Sequence, residues 1–285
     1  MRISGFEKNS VVDYPGKLAA VFFTPGCNMD CFYCHNRSLL APGAKDSVLD
    51  NQAIFEFLKS RRLIIDAVVI TGGEPTLQID LPKFAKRVKS LGFLVKLDTN
   101  GTKPWIIRNL IENNLVDFIA MDIKAPIDKY KQVANRDIDI TAINESIDLI
   151  IGSGVEHEFR TTFAPTLNKL DILKIAARVR NSQSYILQQY RQPGVGFDMF
   201  GPTVQQPPHA EQFVFETAKL AAQIGTNCTA RGLTMNEEFY ESKFNFVLHE
   251  NDMIHFRNQL SKAGYQSVSI EPQIQNYKYN QDSLL

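Results

Sequence analysis

Short continuous apolar runs alternate along the chain with longer stretches in which apolar residues recur at helical spacing. Residues 17–24 (KLAAVFFT) form a run of strand length, rich in β-branched and aromatic side chains. After a polar loop, Ile54, Phe57 and Leu58 recur at helical spacing in DNQAIFEFLKSRR. The run DAVVIT follows and ends at Gly72-Gly73. Asp80 is placed to cap a helix with Pro82 in its first turn; Phe84, Val88 and Leu91 share one side, and Gly92 sits where a left-handed stop is wanted. FLVKLD predicts the next strand, WIIRNLIENN a helix, DFIAMDI a strand and INESIDLIIGSG a helix. VEHEFRTTF, a helix around Ile172, Ile175 and Val179, and SYILQQY complete the series.

Roughly six βα units therefore occupy positions 1–190, which predicts an α/β fold: a parallel sheet with helical crossovers. Largely apolar strands suit a sheet covered on both faces. Periodicity alone leaves open a full barrel, a partial barrel and an open doubly wound sheet. Residues 193–208, rich in Gly and Pro, read as an irregular loop, HAEQFVFETAKLAAQIG as a further helix and NCTARGL as a short strand. After Gly232 the pattern changes: FNFVLH, NDMIHFRNQLSKAG and YQSVSIEP predict a compact β-α-β appendix, followed by a polar end. The expected division is a core over 1–232 and an extension over 233–285.

Composition narrows the class. The chain has 285 residues, is 44% hydrophobic and 22% charged, and has zero formal net charge. Such a chain buries a large core without disulfides, and its charge balance calls for neither nucleic acid nor an acidic membrane. The N-terminus lacks the apolar core of a signal peptide, and no stretch reaches the ~18 apolar residues of a membrane span. The expectation is a soluble cytoplasmic protein. Four cysteines in that setting point to metal or redox chemistry.

Three of them lie in TPGCNMDCFYCHN, with Cys27 and Cys31 four apart and Cys31 and Cys34 three apart. Three soft thiolates in a tight loop suit iron–sulfur chemistry with one iron left open. A zinc site completed by His35, Cys228 or water is the alternative. Tyr33 is either a core aromatic or the lining of a site beside the cysteines. Cys228 reads as a buried small apolar residue.

Further candidates sit at successive strand ends, where parallel α/β folds place ligand groups. Gly72 and Gly73 let backbone approach a ligand and could hold a zwitterionic amino acid through free N–H and C=O groups; Glu74 would balance its ammonium or anchor the loop. A plain strand-to-helix turn is the other reading. Asp98 and Asn100 in KLDTNGT close the third strand; Asp122 and Lys124 in MDIKAP share one side of the fourth, as a carboxylate-binding group or a rim ion pair. Arg160 in EFRTTFAP and Gln188 in YILQQYRQP stand near the ends of the fifth and sixth.

The order C-x3-C-x-aromatic-C, GGEP, LDTNG and D-x-K resembles the radical S-adenosylmethionine superfamily. The resemblance implies a partial (β/α)6 TIM-like barrel carrying the small C-terminal appendix, and a [4Fe–4S] cluster on Cys27, Cys31 and Cys34. It further implies that S-adenosylmethionine chelates the open iron and is reductively cleaved to a 5′-deoxyadenosyl radical. Tyr33, Gly72, Gly73, Glu74, Asp98, Asn100, Asp122, Lys124, Arg160 and Gln188 would then surround that cofactor. The strings SVVDYPGK, YCHN, TGGEPTLQ, LDTNGT, MDIKAP, FRTT and LQQYR, up to about residue 192, resemble anaerobic ribonucleoside-triphosphate reductase activating proteins. That family is an oxidoreductase family. Its implied task is to abstract hydrogen from a glycine of the reductase, with flavodoxin or ferredoxin as electron donor. Activases of other glycyl-radical enzymes, of the pyruvate formate-lyase type, and radical enzymes acting on small molecules remain as rivals. The appendix is not explained by the resemblance.

Overall fold

A computed structural model describes residues 1–40, 43, 48–192, 206–235, 239, 250–262 and 264. Its strands are β1 (Gly5–Ser10), β2 (Ala19–Thr24), β3 (Ala67–Gly72), β4 (Leu94–Thr99), β5 (Phe118–Asp122), β6 (Glu156–Phe163), β7 (Tyr185–Gln189) and β8 (Cys228–Arg231). Its helices are α1 (Asn51–Ser60), α2 (Leu81–Ser90), α3 (Pro104–Glu112), α4 (Tyr130–Ala134), α5 (Ile140–Gly152), α6 (Lys169–Arg178), α7 (Glu211–Ala222) and α8 (Glu250–Lys262). Among the described residues no helix is long and apolar enough to cross a membrane.

The strands form one sheet in the order β1-β2-β3-β4-β5-β6-β7-β8, with β1 antiparallel to β2 and every other pair parallel. This order settles what periodicity left open. A doubly wound sheet reverses strand order at a switch point. Here each strand lies beside its predecessor, so right-handed crossovers carry all the helices to one face. The sheet curls as a partial barrel, with helices outside and a concave inner face.

The two faces differ in chemistry. Ala20, Phe22, Val68, Ile70, Leu97, Ile119, Met121, Phe159 and Leu187 are buried in the core under the helices. The same core takes in the buried faces of amphipathic helices, such as Leu81, Phe84, Ala85 and Val88 of α2. Burying one such large side chain contributes about 1.5–3 kcal/mol. The alternate positions face inward. Near the strand starts they are Ala19, Val21, Ala67, Val69, Phe118 and Ala120, closed over by Tyr14 in a second apolar cluster. Higher up they turn polar, because register sets Asp98 beside Ala120, Asp122 beside Arg160 and Thr162 beside Gln188. The expectation of a sheet covered on both faces is thus corrected: one face is covered by helices, and the other lines the barrel.

Three local expectations are also revised. GFEKNS, unassigned from pattern, is the edge strand β1, with an exposed centre at Glu7, Lys8 and Asn9. Asp80 makes no side-chain cap to α2; its carboxylate pairs with the Met1 ammonium. The appendix helix is α8, and its Leu260 is buried in the main core. The predicted strands FNFVLH and YQSVSIEP lie outside the described residues.

Candidate active site

The cysteine segment leaves β2 at Thr24 and is stitched to its neighbours. Gly26 N donates to Leu39 O at 2.9 Å, and Cys34 N donates to Cys31 O at 3.0 Å, closing a tight turn. Met29 N donates to Cys27 Sγ at 3.4 Å. Asn100, beyond β4, donates from Nδ2 to Asn28 Oδ1 at 2.9 Å, and the same nitrogen lies 3.8 Å from Cys27 Sγ. Asn36 donates to the Gly72 carbonyl at 3.1 Å. Neighbouring strand ends therefore position the cysteines.

Cys27, Cys31 and Cys34 are free thiols, with Cys31 buried and Cys27 and Cys34 half-buried. Burial pushes Cys27 up to about 12, aided by the Glu74 carboxylate, and Cys31 up to about 11; Cys34 is raised for the same reason. Without metal they are protonated, and binding a soft metal displaces those protons. Among the described residues no three His, Cys, Asp or Glu side chains are close enough to grip a single ion. The donor set fits a multi-iron group in which each sulfur takes its own iron.

Gly72 and Gly73 are glycines because the cysteine segment runs against them. Gly72 has φ +122°, and a Cβ there would stand 2.2 Å from Thr24 N. A Cβ on Gly73 would stand 2.0 Å from Gly26 O. Gly73 N donates to Thr24 O at 2.9 Å, and Glu74 N to Gly26 O at 2.8 Å. The Gly73 N–H, expected to be free for a ligand, is spent on that junction. Glu74 is buried and takes the anchoring role. Its Oε1 accepts from Thr76 N at 3.0 Å, Thr76 Oγ1 at 2.5 Å and Thr99 Oγ1 at 2.7 Å, and its Oε2 accepts from Asn100 N at 2.7 Å.

A chain of alternating charge crosses the inner face. Lys96 Nζ lies 3.3 Å from Asp98 Oδ1. Arg160 Nη1 lies 3.5 Å from Asp98 Oδ2, and its Nε lies 2.7 Å from Asp122 Oδ1. Lys124 Nζ lies 3.0 Å from Asp122 Oδ2. Arg160 Nη1 also lies 3.7 Å from Glu158 Oε1, so three cations and three carboxylates interleave and balance one another. Burial opposes the charge on Asp122, but Arg160 and Lys124 outweigh it and hold the carboxyl far below the usual range. Burial likewise opposes the charge on Lys124, and Asp122, Tyr33 and Cys31 overcome it and hold the ammonium well above its ordinary value. Lys124 Nζ also sits 6.0 Å from the centre of the buried Tyr33 ring.

These groups share one cavity of about 420 Å3. Its wall contains every residue nominated from sequence: Cys27, Cys31, Tyr33, Cys34, Gly72, Gly73, Glu74, Asp98, Asn100, Asp122, Lys124, Arg160 and Gln188. Cys228 is buried on β8 and is absent from that wall, as a small core residue would be. The wall also holds His35, weighed from sequence only as a zinc ligand, and Asp13, Met29, Asn36, Thr71, Thr99 and Thr162, which sequence reasoning did not assign. Thr162 was within reach, since it stands two residues past Arg160 on the same strand face. Glu158, two residues before Arg160, is outside the wall and pairs with Arg231 at 2.9 Å. Asp13 carries no such signal.

Comparison with known proteins accords with this geometry. The model of the radical SAM superfamily matches residues 21–179. MJ1227 of Methanocaldococcus jannaschii, named as a candidate glycyl-radical enzyme activating enzyme, is 37% identical over 243 residues, covering 83% of this chain and 98% of its own length. The pyruvate formate-lyase 1-activating enzyme of Escherichia coli is 31% identical over 138 residues, 46% of this chain and 55% of that one. The crystal structure of Streptococcus suis SuiB superposes with a TM-score of 0.60 at 12% identity, covering 82% of this chain and 54% of SuiB, which is a likeness of fold. The chain belongs to the radical SAM superfamily and, within it, to the family of glycyl-radical enzyme activating enzymes.

Proposed function

We propose that this protein generates the glycyl radical of an anaerobic ribonucleoside-triphosphate reductase, with flavodoxin or ferredoxin as electron donor in an oxygen-free cytoplasm. The carrying observation is that the three cysteines and the polar residues of five successive strand ends line one cavity. At about 420 Å3 it has the size of a small-ligand site. Cys27, Cys31 and Cys34 would hold a [4Fe–4S] cluster, which would supply the electron for reductive cleavage of S-adenosylmethionine and so the chemistry for removing hydrogen from the partner's glycine.

The protein's own residues hold and orient. Lys124 and Arg160, the lysine and the arginine of the cavity wall, are the groups that would receive the methionine carboxylate. Glu74 keeps the Gly72-Gly73 backbone and Asn100 in register with the cysteine segment, so the methionine end and the cysteines keep one geometry. Tyr33 walls the cavity beside Lys124, and Asp98, Asp122 and Gln188 complete its polar rim. Tyr14 and the apolar cluster beneath exclude water from below.

The test is anaerobic reconstitution followed by mixing with the reductase, S-adenosylmethionine and a reductant. The expected results are iron and sulfide in the protein, 5′-deoxyadenosine release and a glycyl-radical electron resonance doublet on the reductase. A protein that takes up zinc and no sulfide overturns the cluster reading. The pyruvate formate-lyase activase likeness favours a second partner class. A radical on pyruvate formate-lyase, with none on the reductase, would shift the assignment there. Cleavage that yields no radical on either protein would overturn both partner readings.

A further inference from the structure

Arg37 is a buried charge that the reaction above does not use. It opens the short 3-10 turn Arg37–Leu40, three residues beyond Cys34. Its side chain is 1% exposed, and its Nη1 donates to Asp30 Oδ1 at 2.6 Å. Its Nε and Nη2 are buried and have no acceptor among the described residues. Asp30 immediately precedes Cys31, so the ion pair joins the two flanks of the Cys31–Cys34 turn. Asp30 is also met by Asn135 Nδ2 at 3.2 Å and Arg136 Nη2 at 3.9 Å. Arg37 is not part of the cavity wall, so a ligand entering the cavity leaves it in place.

A charge fixed at low dielectric beside a cluster is one of the quantities that set its reduction potential. Two N–H groups without acceptors among the described residues leave the Arg37 charge only partly compensated by Asp30.

We propose that Arg37 is a positioning residue for the cluster, whose buried positive charge, held beside the Cys31–Cys34 turn by Asp30, stabilises the reduced state. This rests on the cluster assigned to Cys27, Cys31 and Cys34 above. The step concerned is the uptake of one electron from a low-potential one-electron donor. It makes the cluster more negative by one unit, moves no proton and breaks no bond. A cation held at low dielectric favours the more negative state. Asp30 opposes it, so the two partners of one ion pair should act on the potential with opposite sign.

The test is electron-resonance-monitored redox titration, without S-adenosylmethionine, of reconstituted full-length wild type, Arg37→Met, Arg37→Lys and Asp30→Asn. Iron and sulfide are assayed first. A wild type without either refutes the cluster reading itself, and this inference with it. With clusters loaded, Arg37→Met is expected to be roughly tenfold harder to reduce at a fixed potential, which is about 59 mV for one electron. Arg37→Lys should stay near wild type, because the charge remains. Asp30→Asn should shift the other way, to easier reduction. A merely structural clamp would weaken cluster retention in both Arg37→Met and Asp30→Asn and leave the potential unmoved. That result, or shifts of the same sign in the two variants, overturns the proposal. Should Arg37→Met fail to fold, the shift in Asp30→Asn against an unmoved Arg37→Lys still decides it.

Discussion

Asp122 carries two ion pairs at once, to Arg160 Nε at 2.7 Å and to Lys124 Nζ at 3.0 Å. Burial works against its charge, and the two cations more than offset burial, so its folded pKa lies below the unfolded one. A depressed carboxylate stabilises the fold above the unfolded value, about 3.9, and loses that contribution as the pH falls through the folded value. Asp122→Asn keeps the volume, takes from Lys124 its counter-charge and leaves Arg160 with the more distant Asp98 and Glu158. Because the carboxylate is 31% exposed, water softens the loss, and the expected cost at pH 7 is about 1–3 kcal/mol. Urea midpoints of wild type and variant should differ at neutral pH and draw together below about pH 4; a gap independent of pH would exclude the charge pairing. The Asp122–Lys124 pair was legible as two residues on one side of a strand. Arg160's share in it was not, because that depends on the register between β5 and β6.

At the scale of elements, the junction of β3 with the cysteine segment is built from backbone alone, and this makes Gly73 sharply testable. A methyl group at Gly73 would meet the Gly26 carbonyl at 2.0 Å, and backbone on both sides cannot swing away as a side chain can. At Gly92 the nearest atom to an added methyl is Arg62 Nε at 3.9 Å, so only the φ of +90° counts against it. Gly73→Ala is therefore expected to cost about 3 kcal/mol, at the upper end for overpacking. Gly92→Ala should cost about 1 kcal/mol, the strain of a left-handed non-glycine residue. Thermal unfolding of the two variants checks the order, and equal losses would mean that the junction yields. Gly92 was readable from its place after a helical pattern. The need at Gly73 was not, since sequence shows that two glycines stand together but not which backbone passes over them. The long periodic helices and apolar strands were legible for a related reason: one face of each is buried, and the pattern records it. β1 escaped because its centre is polar and exposed, and α4 because five residues are too few to show a period.

At the scale of the molecule, strand order decides what the site is. Placing all the helices outside leaves the inner face to provide both a polar reaction chamber and something to close it from below. Tyr14 closes it. The residue is buried, its ring centre lies 5.7 Å from that of Phe118, and it packs on the inward alanines and valines of β2, β3 and β5. Directly above, Lys96 Nζ donates to the carbonyl of Asp13 at 2.5 Å, so the segment bearing Tyr14 is also latched to the charged layer. Burial, followed by the nearby Asp117 and Glu156 carboxylates, pushes the phenol up to about 12, so Tyr14 stays neutral throughout the working range. Nothing in SVVDYPGK marks this role, because Tyr14 lies outside any periodic element and its partners come from three strands. If the ring is the floor, Tyr14→Ala should cost about 3–5 kcal/mol, as for other buried aromatic truncations. Tyr14→Phe keeps the ring and should stay within about 1 kcal/mol of wild type. Urea unfolding of the two variants separates the possibilities. Comparable losses would place the energy in the hydroxyl and refute the floor, whereas a loss confined to Tyr14→Ala would place it in the ring that seals the chamber.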